Sequence, residues 1–322
     1  RPKNDRKIDF SRFRTILEPM NRTIGIGIAV LILAGTGYLA AEFIVNSRIK
    51  GEIDAEIERH REDADISYGK FRYDLASSSA RMSQFQIEGK KGQKGKVTVD
   101  EMIVDDFKPR TEDESFPSML NFKALGIQLS EEVNPELSEE LKELGYEEPP
   151  RMDAAIDYEY NLETKQLDIR KAALMGDDMG ELSISLSLTN FTPPPTPPPG
   201  EELNPLQLMA MLSALSIQSC EITFRDNGIT NRFLDRGAET AGVTRDEFVT
   251  SLIADLREGL KSDSSTLNRQ ALASVEQFLD DPDQLKVTIL PASPISVASI
   301  VAAKFLGGGA QIPQMLGIEV SN

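Results

Sequence analysis

Histidine and cysteine carry most nucleophilic and transition-metal chemistry, and this chain of 322 residues has one of each, His60 and Cys220. A Ser-His or Cys-His mechanism needs the imidazole within hydrogen-bond reach of its nucleophile. His60 stands among Glu58, Arg59, Arg61 and Glu62, a setting that reads as solvated. Cys220 lies between Ser219 and Glu221 in an alternating stretch and reads as a small buried apolar side chain. One histidine and one cysteine do not complete a zinc site, and a single cysteine forms no internal disulfide. Gly307-Gly308-Gly309 lacks both the lysine and the helix start of a phosphate-cradling loop. Two acidic clusters remain. Gly176-Asp177-Asp178-Met179-Gly180-Glu181 lacks the alternating spacing of a calcium loop and reads as a hairpin turn. Asp280-Asp281-Pro282-Asp283 follows a helix C-terminus, where the dipole disfavours anions, and reads as a solvated turn. Among 52 aspartates and glutamates no pair is singled out for acid–base work. The expectation is a protein that is not an enzyme, with no catalytic, cofactor-binding or metal-binding residues and no cofactor.

The side chains that do recur in a pattern are apolar, and their chemistry is noncovalent. Leu182, Ile184, Leu186 and Leu188 make the cleanest alternation in the chain. With Ile156, Tyr158, Leu167 and Ile169 they are the candidate lining of an apolar groove. Period-two alternation positions them on strands. It begins after residue 64 in ISYGKFRYDL, ARMSQFQIEG and KVTVDEMIVDDF, with a turn at Lys90–Gly95, and returns in AAIDYEY, QLDIRKAAL and ELSISLSLTNF. The segment reads as an antiparallel meander with one apolar and one wet face. Between the two sets, Asn134 and Pro135 mark the cap and first residue of a short acidic helix near 134–145.

Thr192–Gly200, TPPPTPPPG, is neither helix nor central strand and reads as an extended spacer. Beyond it, Leu215–Phe224, QLKVTIL and LGIEV read as strands among helices. The best-marked helix has Thr244 and Glu247 as a capping box with Val243 and Phe248 as the staple, and Phe248, Leu252, Ile253, Leu256 and Leu260 as its buried face. A further helix covers about Thr266–Leu279. Ile295–Leu306 reads as a core helix opened by Ser293 and Pro294.

Position along the chain supplies the rest. Residues 23–41, TIGIGIAVLILAGTGYLAA, carry no charge, and about 19 helical residues span about 28 Å, close to a bilayer core. Ile24, Ile28, Leu31 and Leu39 would face lipid, and Gly25/Ala29 and Gly37/Ala41 are spaced for helix association. Seven basic against three acidic side chains in residues 1–22 give +4 in a chain of −17, so the remainder carries −21. Basic flanks stay cytoplasmic. That balance, with a lone cysteine, points to a bacterial inner membrane with the N-terminus cytoplasmic and the body periplasmic. Ile49, Ile53 and Ile57 make one stripe of a helical stalk. The acidic body argues against nucleic acid as a partner.

The basic tail, the single span, ISYGKFRYDLASSSARMSQFQIEG followed by KVTVDEMIVDDF, and ITFRDNGITNRFLDRGAETAGVTRDEFVTSLIADL together resemble AsmA-like and YdgA-like bacterial inner-membrane proteins. That resemblance implies an elongated, curved sheet with an apolar inner face and an association with lipid handling. The expected fold class is α+β: a single N-terminal transmembrane helix, then an antiparallel β-rich ectodomain with a helical C-terminal part. Its expected parts are a basic tail (1–22), a transmembrane helix (23–45), a stalk (46–64), a β-rich ectodomain (65–191), a Pro-rich linker (192–200) and a mixed α/β part (201–322) packing on the β region. The expected function is non-enzymatic binding of membrane lipid or another apolar ligand in a β-groove. The alternative is a scaffold or assembly subunit of an envelope complex. Expected partners are membrane lipid, a protein of the envelope, and a second copy through stalk and transmembrane helix.

Overall fold

The computed structural model describes residues 57–58, 64–74, 79–90, 95–108, 117–193, 205–260, 266–306 and 311–322. In chain order its elements begin with β1 (Ala64–Ser67), β2 (Phe71–Asp74), β3 (Ser79–Gly89), β4 (Lys96–Lys108) and β5 (Met119–Leu129). Helix α1 (Pro135–Glu143) precedes β6 (Met152–Asn161), β7 (Gln166–Gly176) and β8 (Gly180–Thr189). Then come α2 (Pro205–Ala214), β9 (Ser216–Asp226), α3 (Ile229–Ala241), α4 (Arg245–Leu260) and α5 (Thr266–Asp280). The last elements are β10 (Gln284–Ile289), β11 (Ile295–Ser296), α6 (Val297–Phe305), α7 (Ile312–Leu316) and β12 (Ile318–Ser321).

All twelve strands form one sheet, antiparallel at every described pairing, in the order β1-β3-β4-β5-β6-β7-β8-β9-β10-β12, with β2 on β3 and β11 on β9. Strand β8 pairs with β9 from Gly180↔Asp226 to Thr189↔Ser216, so the sheet continues through the strands that follow the proline-rich stretch. Residues 194–200 of that stretch lie outside the described residues.

A crease crosses β3, β4 and β5. The inward set is Ala80 and Met82 on one side of it and Phe85 and Ile87 on the other; the change falls at Gln84, where φ is 54°. Val97 and Val99 give way to Met102 and Val104 in β4, and Leu120, Phe122 and Ala124 give way to Ile127 and Leu129 in β5. Because the phase change falls at one height in all three strands, their mutual register survives. It surfaces between β5 and β6, where Asp153 Oδ1 accepts the Gly126 N–H at 2.7 Å and Gly126 has φ +65°. A bulge of this kind bends a strand and re-aims its side chains.

The helices follow local signals. Asn134 Oδ1 accepts the Leu137 N–H at 3.1 Å, the expected cap of α1, and Leu141 is buried. The Thr244 N–H donates to Glu247 Oε2 at 2.9 Å and the Glu247 N–H to Thr244 Oγ1 at 3.3 Å, closing the capping box of α4. Leu234, Ala238, Phe248 and Leu279 join α3, α4 and α5 in a small core, with Val243, Leu252 and Ile253 against it. The Phe248 ring fills the place a Cβ would take at Gly237, which brings α3 and α4 close. Leu256, expected in the buried face, is exposed because it points away from this cluster.

Three expectations need correction. Over the described residues the fold is a mostly antiparallel β-sheet with some helices, and the expected transmembrane helix is not among them. Among the described residues no helix is long and apolar enough to cross a membrane. The longest, α4, has 16 residues and carries six charged side chains in its sequence, against the ~20 apolar residues a span requires. No helix among the described residues supports the descriptors single-pass and inner-membrane. Ile24, Ile28, Leu31 and Leu39, with Gly25, Ala29, Gly37 and Ala41, lie outside the described residues, as do the tail and, apart from Ile57, Glu58 and Ala64, the stalk. Secondly, ISYGKFRYDL is two strands, interrupted where the Gly69 N–H donates to Ser83 O and the Ser83 N–H to Lys70 O. Thirdly, Ile295 and Ser296 pair with Ile217 and Ser216, so α6 starts at Val297, capped by Ser296. That helix has no buried residue and is not a core helix.

Candidate functional site

Cross-strand register turns the alternation of each strand into rows that run across the sheet. Ala80, Val104, Phe122, Ile156, Ala172, Ile184, Ile222, Val287 and Val320 stand opposite one another in turn over nine strands. Directly paired residues in an antiparallel sheet share a face, so this row lies on one side throughout. The row above it runs Met82, Met102, Ala124, Ala154, Leu174, Leu182, Phe224, Leu285. The row below runs Leu120, Tyr158, Ile169, Leu186, Cys220, Ile289, Ile318.

Burial divides these rows. Ala80, Val104, Phe122, Met82, Ala124 and Leu120 are sealed at 0–3% exposure. From β7 onward, every apolar member of the three rows is half-buried or, at Leu182, 44% exposed. The eight expected groove residues therefore share a face but not an environment. Tyr158, Leu167 and Leu188 belong to the sealed core, and Ile156, Ile169 and Leu186 pack at its margin. Ile184 and Leu182 lie on the half-open floor. A bulge at Arg170 and Lys171 lets Leu167 and Ile169 keep one face with Ala172 and Leu174 despite the phase change in sequence. Ala172, Leu174, Ile222, Phe224, Leu285, Val287, Ile289, Ile318 and Val320 complete the floor and escape the sequence reading. Their strands alternate visibly, but alternation does not say that β7 to β12 lie side by side.

Helix α5 walls one end. Its Phe278 ring meets Phe224 edge-on at 6.0 Å, and Ser274 Oγ donates to Val320 O at 3.0 Å. The floor from β7 to β10 is about 14 Å wide at ~4.8 Å per strand, and three paired rows deep.

The opposite face of the same strands carries charge in matched pairs. Arg170 bonds Asp157 at 2.9 Å and approaches Glu159 at 3.5 Å; Lys286 Nζ lies 2.6 Å from Glu221. Lys171 Nζ lies 2.7 Å from Glu181 Oε1, and Arg225 3.5 Å from Oε2. The hydrogen bond from Lys171 is the main cause that holds the Glu181 carboxyl below its usual range, outweighing its desolvation. A shallow hollow of about 200 Å³ there is lined by Arg170, Lys171, Glu181, Ser183, Glu221 and Arg225. Each of its cations already has a carboxylate partner, so the hollow has little charge left for an anion.

The groups considered for chemistry have structural employment. Burial pushes the Cys220 thiol up, and the charge of Glu221 adds to it, so the thiol stays protonated and a poor nucleophile. The acidic turn Gly176–Gly180 joins β7 to β8; its Asp178 carbonyl accepts the Tyr146 hydroxyl at 2.7 Å. The Arg232 guanidinium sits 4.5 Å over the Tyr146 ring. Burial raises the Tyr146 phenol, against the lowering effect of Arg232. Among the described residues no three His, Cys, Asp or Glu side chains gather in a group able to hold a metal. His60 lies outside the described residues.

Fold and site thus define a class: an open antiparallel sheet, sealed on one apolar face over half its width and half-open over the rest. A protein family described as "Uncharacterized protein" matches residues 173–322, the segment that holds most of the half-open floor. A protein of Aquifex aeolicus (strain VF5), also described as "Uncharacterized protein", is 24% identical over 288 residues, covering 87% of this chain and 92% of its own length. These likenesses correct the expected resemblance to AsmA-like and YdgA-like proteins. That resemblance rested on strands alternating after an apolar run, a pattern any one-sided sheet produces, with no motif of its own.

Proposed function

We propose that the protein binds a lipid or another apolar chain on the half-open floor of β7 to β12 and catalyses no reaction. The observation that supports this is the nine-strand row that is sealed from Ala80 to Phe122 and half-buried from Ile156 to Val320. Apolar area left in contact with water costs roughly 25 cal/mol for each Å² that a ligand could cover, and a mostly apolar surface suits an uncharged chain. On the opposite face of these strands the charges are paired with one another.

The test uses the intact chain. Organic extraction and mass spectrometry of the purified protein should release an apolar compound, and a fluorescent fatty-acyl probe should bind. Leu182→Asp, at an already exposed position, should weaken probe binding at least tenfold with unchanged far-ultraviolet dichroism. Absence of both co-purified ligand and probe binding would sink the proposal. So would probe binding that ignores Leu182→Asp and Ile222→Ser.

A further inference from the structure

Helices α2 and α6 lie against each other beside the start of β9, tied to it where the Val297 N–H donates to Leu215 O at 2.9 Å. Neither behaves as a surface helix should. A helix on a soluble body is apolar on the side facing the core and polar outside. In α6, Val297, Ile300 and Ala303 are half-buried, and Ala298, Val301, Ala302 and Phe305 form the outward stripe. Ser299 and Lys304 are exposed beside that stripe, whose own four residues are all apolar. Phe305 is 82% exposed, Leu306 86%, and Met209 of α2 62%, with Val301 and Leu212 exposed beside them. Together these five leave on the order of 500 Å² of apolar surface to water, as large as the biggest patch on an ordinary monomer.

Charge is missing from the same region. Residues 203–220 contain no charged side chain, and residues 290–318 contain Lys304 alone, in a chain that is 27% charged. A partner here therefore meets Lys304 as the one charge these two stretches carry. For two copies of a chain of net charge −17, a face so poor in charge adds little repulsion.

The outward stripe is complementary to itself. The positions i, i+3, i+4 and i+7 alternate small and large: Ala298, Val301, Ala302, Phe305. A twofold axis between Val301 and Ala302 would set each Ala298 against Phe305 of the other copy, and each Val301 against Ala302. Every contact is then large on small, the condition for close packing of two helices. A fluid hydrocarbon surface requires no such matching. An apolar outward stripe, a surround whose one charge is Lys304, and the self-matching of that stripe point to one occupant. We propose that α6, flanked by α2, is the face on which a second copy of the chain docks, in an isologous antiparallel helix pair. The per-copy area is below the ~800 Å² of a standard interface, so the dimer forms at micromolar rather than nanomolar concentration.

Sedimentation of the intact chain should show a concentration-dependent dimer that Phe305→Asp abolishes. Ala298→Phe sets Phe against Phe, and Phe305→Ala sets Ala against Ala, so each variant alone should dimerise at least tenfold more weakly. Mixed together they restore two large-on-small contacts, and the mixture should form a heterodimer as tight as the wild type. A variant that had simply failed to fold would not be rescued by mixing. A wild type that stays monomeric, a dimer indifferent to Phe305→Asp, or a mixture no tighter than its components would overturn the proposal. Flotation of monomeric wild type with phosphatidylcholine vesicles, lost in Phe305→Asp, would overturn it in favour of lipid on this face.

Discussion

Strands β3 to β5 and strands β7 to β12 belong to one sheet, use the same alternation and turn apolar residues to the same side, yet the first group shuts them away from water while the second, apart from Leu167 and Leu188, leaves them half-open. Phe122 and Ile184 stand in one row, three strands apart, the first 2% exposed and the second half-buried. Pattern is common to both, so pattern is not what separates them. The sealed half carries the crease at Gln84 and Gly126, which re-aims its inward side chains. The open half carries helix α5 at its far end. Alternation decides which face is apolar; what lies over that face decides whether it becomes core or surface.

The largest expected effect tests the contrast directly. Phe122→Ala removes a fully buried ring and should cost about 3–5 kcal/mol in urea denaturation, whereas Leu182→Ala, already 44% exposed, should cost less than about 1 kcal/mol. Equal losses at the two positions would erase the distinction between the halves. Next comes the crease. Gly126→Ala puts a Cβ on a residue at φ +65°, under the Arg151–Asp100 ion pair. Those side-chain ends can swing aside, so backbone strain dominates, at roughly 1–2 kcal/mol. Gly126→Asn should lose less, and if Ala and Asn are both neutral the crease is not what shapes the sealed half. The smallest effect probes the polar side of the open half. The folded-state Glu181 carboxyl titrates below its unfolded value, mainly through Lys171. Its contribution is therefore present above the unfolded value of about 4.3 and is lost as pH falls through the folded one. Between about pH 6 and pH 3 the wild type should lose more stability than Glu181→Gln; parallel pH profiles would show that the Lys171–Glu181–Arg225 cluster does not steady these strands.

Much of the fold is legible where one residue type answers one local need. Asn134 and Pro135 announce α1, Thr244 and Glu247 announce α4, and Leu182 to Leu188 announce β8. What is not legible comes from two causes. One is phase: in β5, Leu120, Phe122 and Ala124 are even-numbered and Ile127 and Leu129 odd-numbered, so the strand shows no clean alternation and no element was expected there. The break between β1 and β2 has the same character, because it is imposed by Ser83 on a neighbouring strand. The other cause is distance. Nothing in ELSISLSLTNF says that its partner is SIQSCEITFRD, beyond the proline-rich stretch. The row structure of the site is therefore invisible in the sequence, where Leu182 and Ile184 are the floor residues that stand out. Helix α6 misled by its composition: VASIVAAKF has the content of a core helix, and only its surroundings reveal that neither face is buried.

The strand order carries one more consequence, for the order of assembly. From β3 to β10 every strand pairs with its predecessor in sequence, so each can dock as soon as it has been synthesised, without waiting for distant chain. Such sequence-local pairing keeps the entropic barrier to folding low. The sealed half is then complete before the ribosome reaches β9. The floor of the open half is finished last, when β12 closes on β10. An apolar molecule taken up early in the life of the chain would meet this surface while its final wall is still being laid.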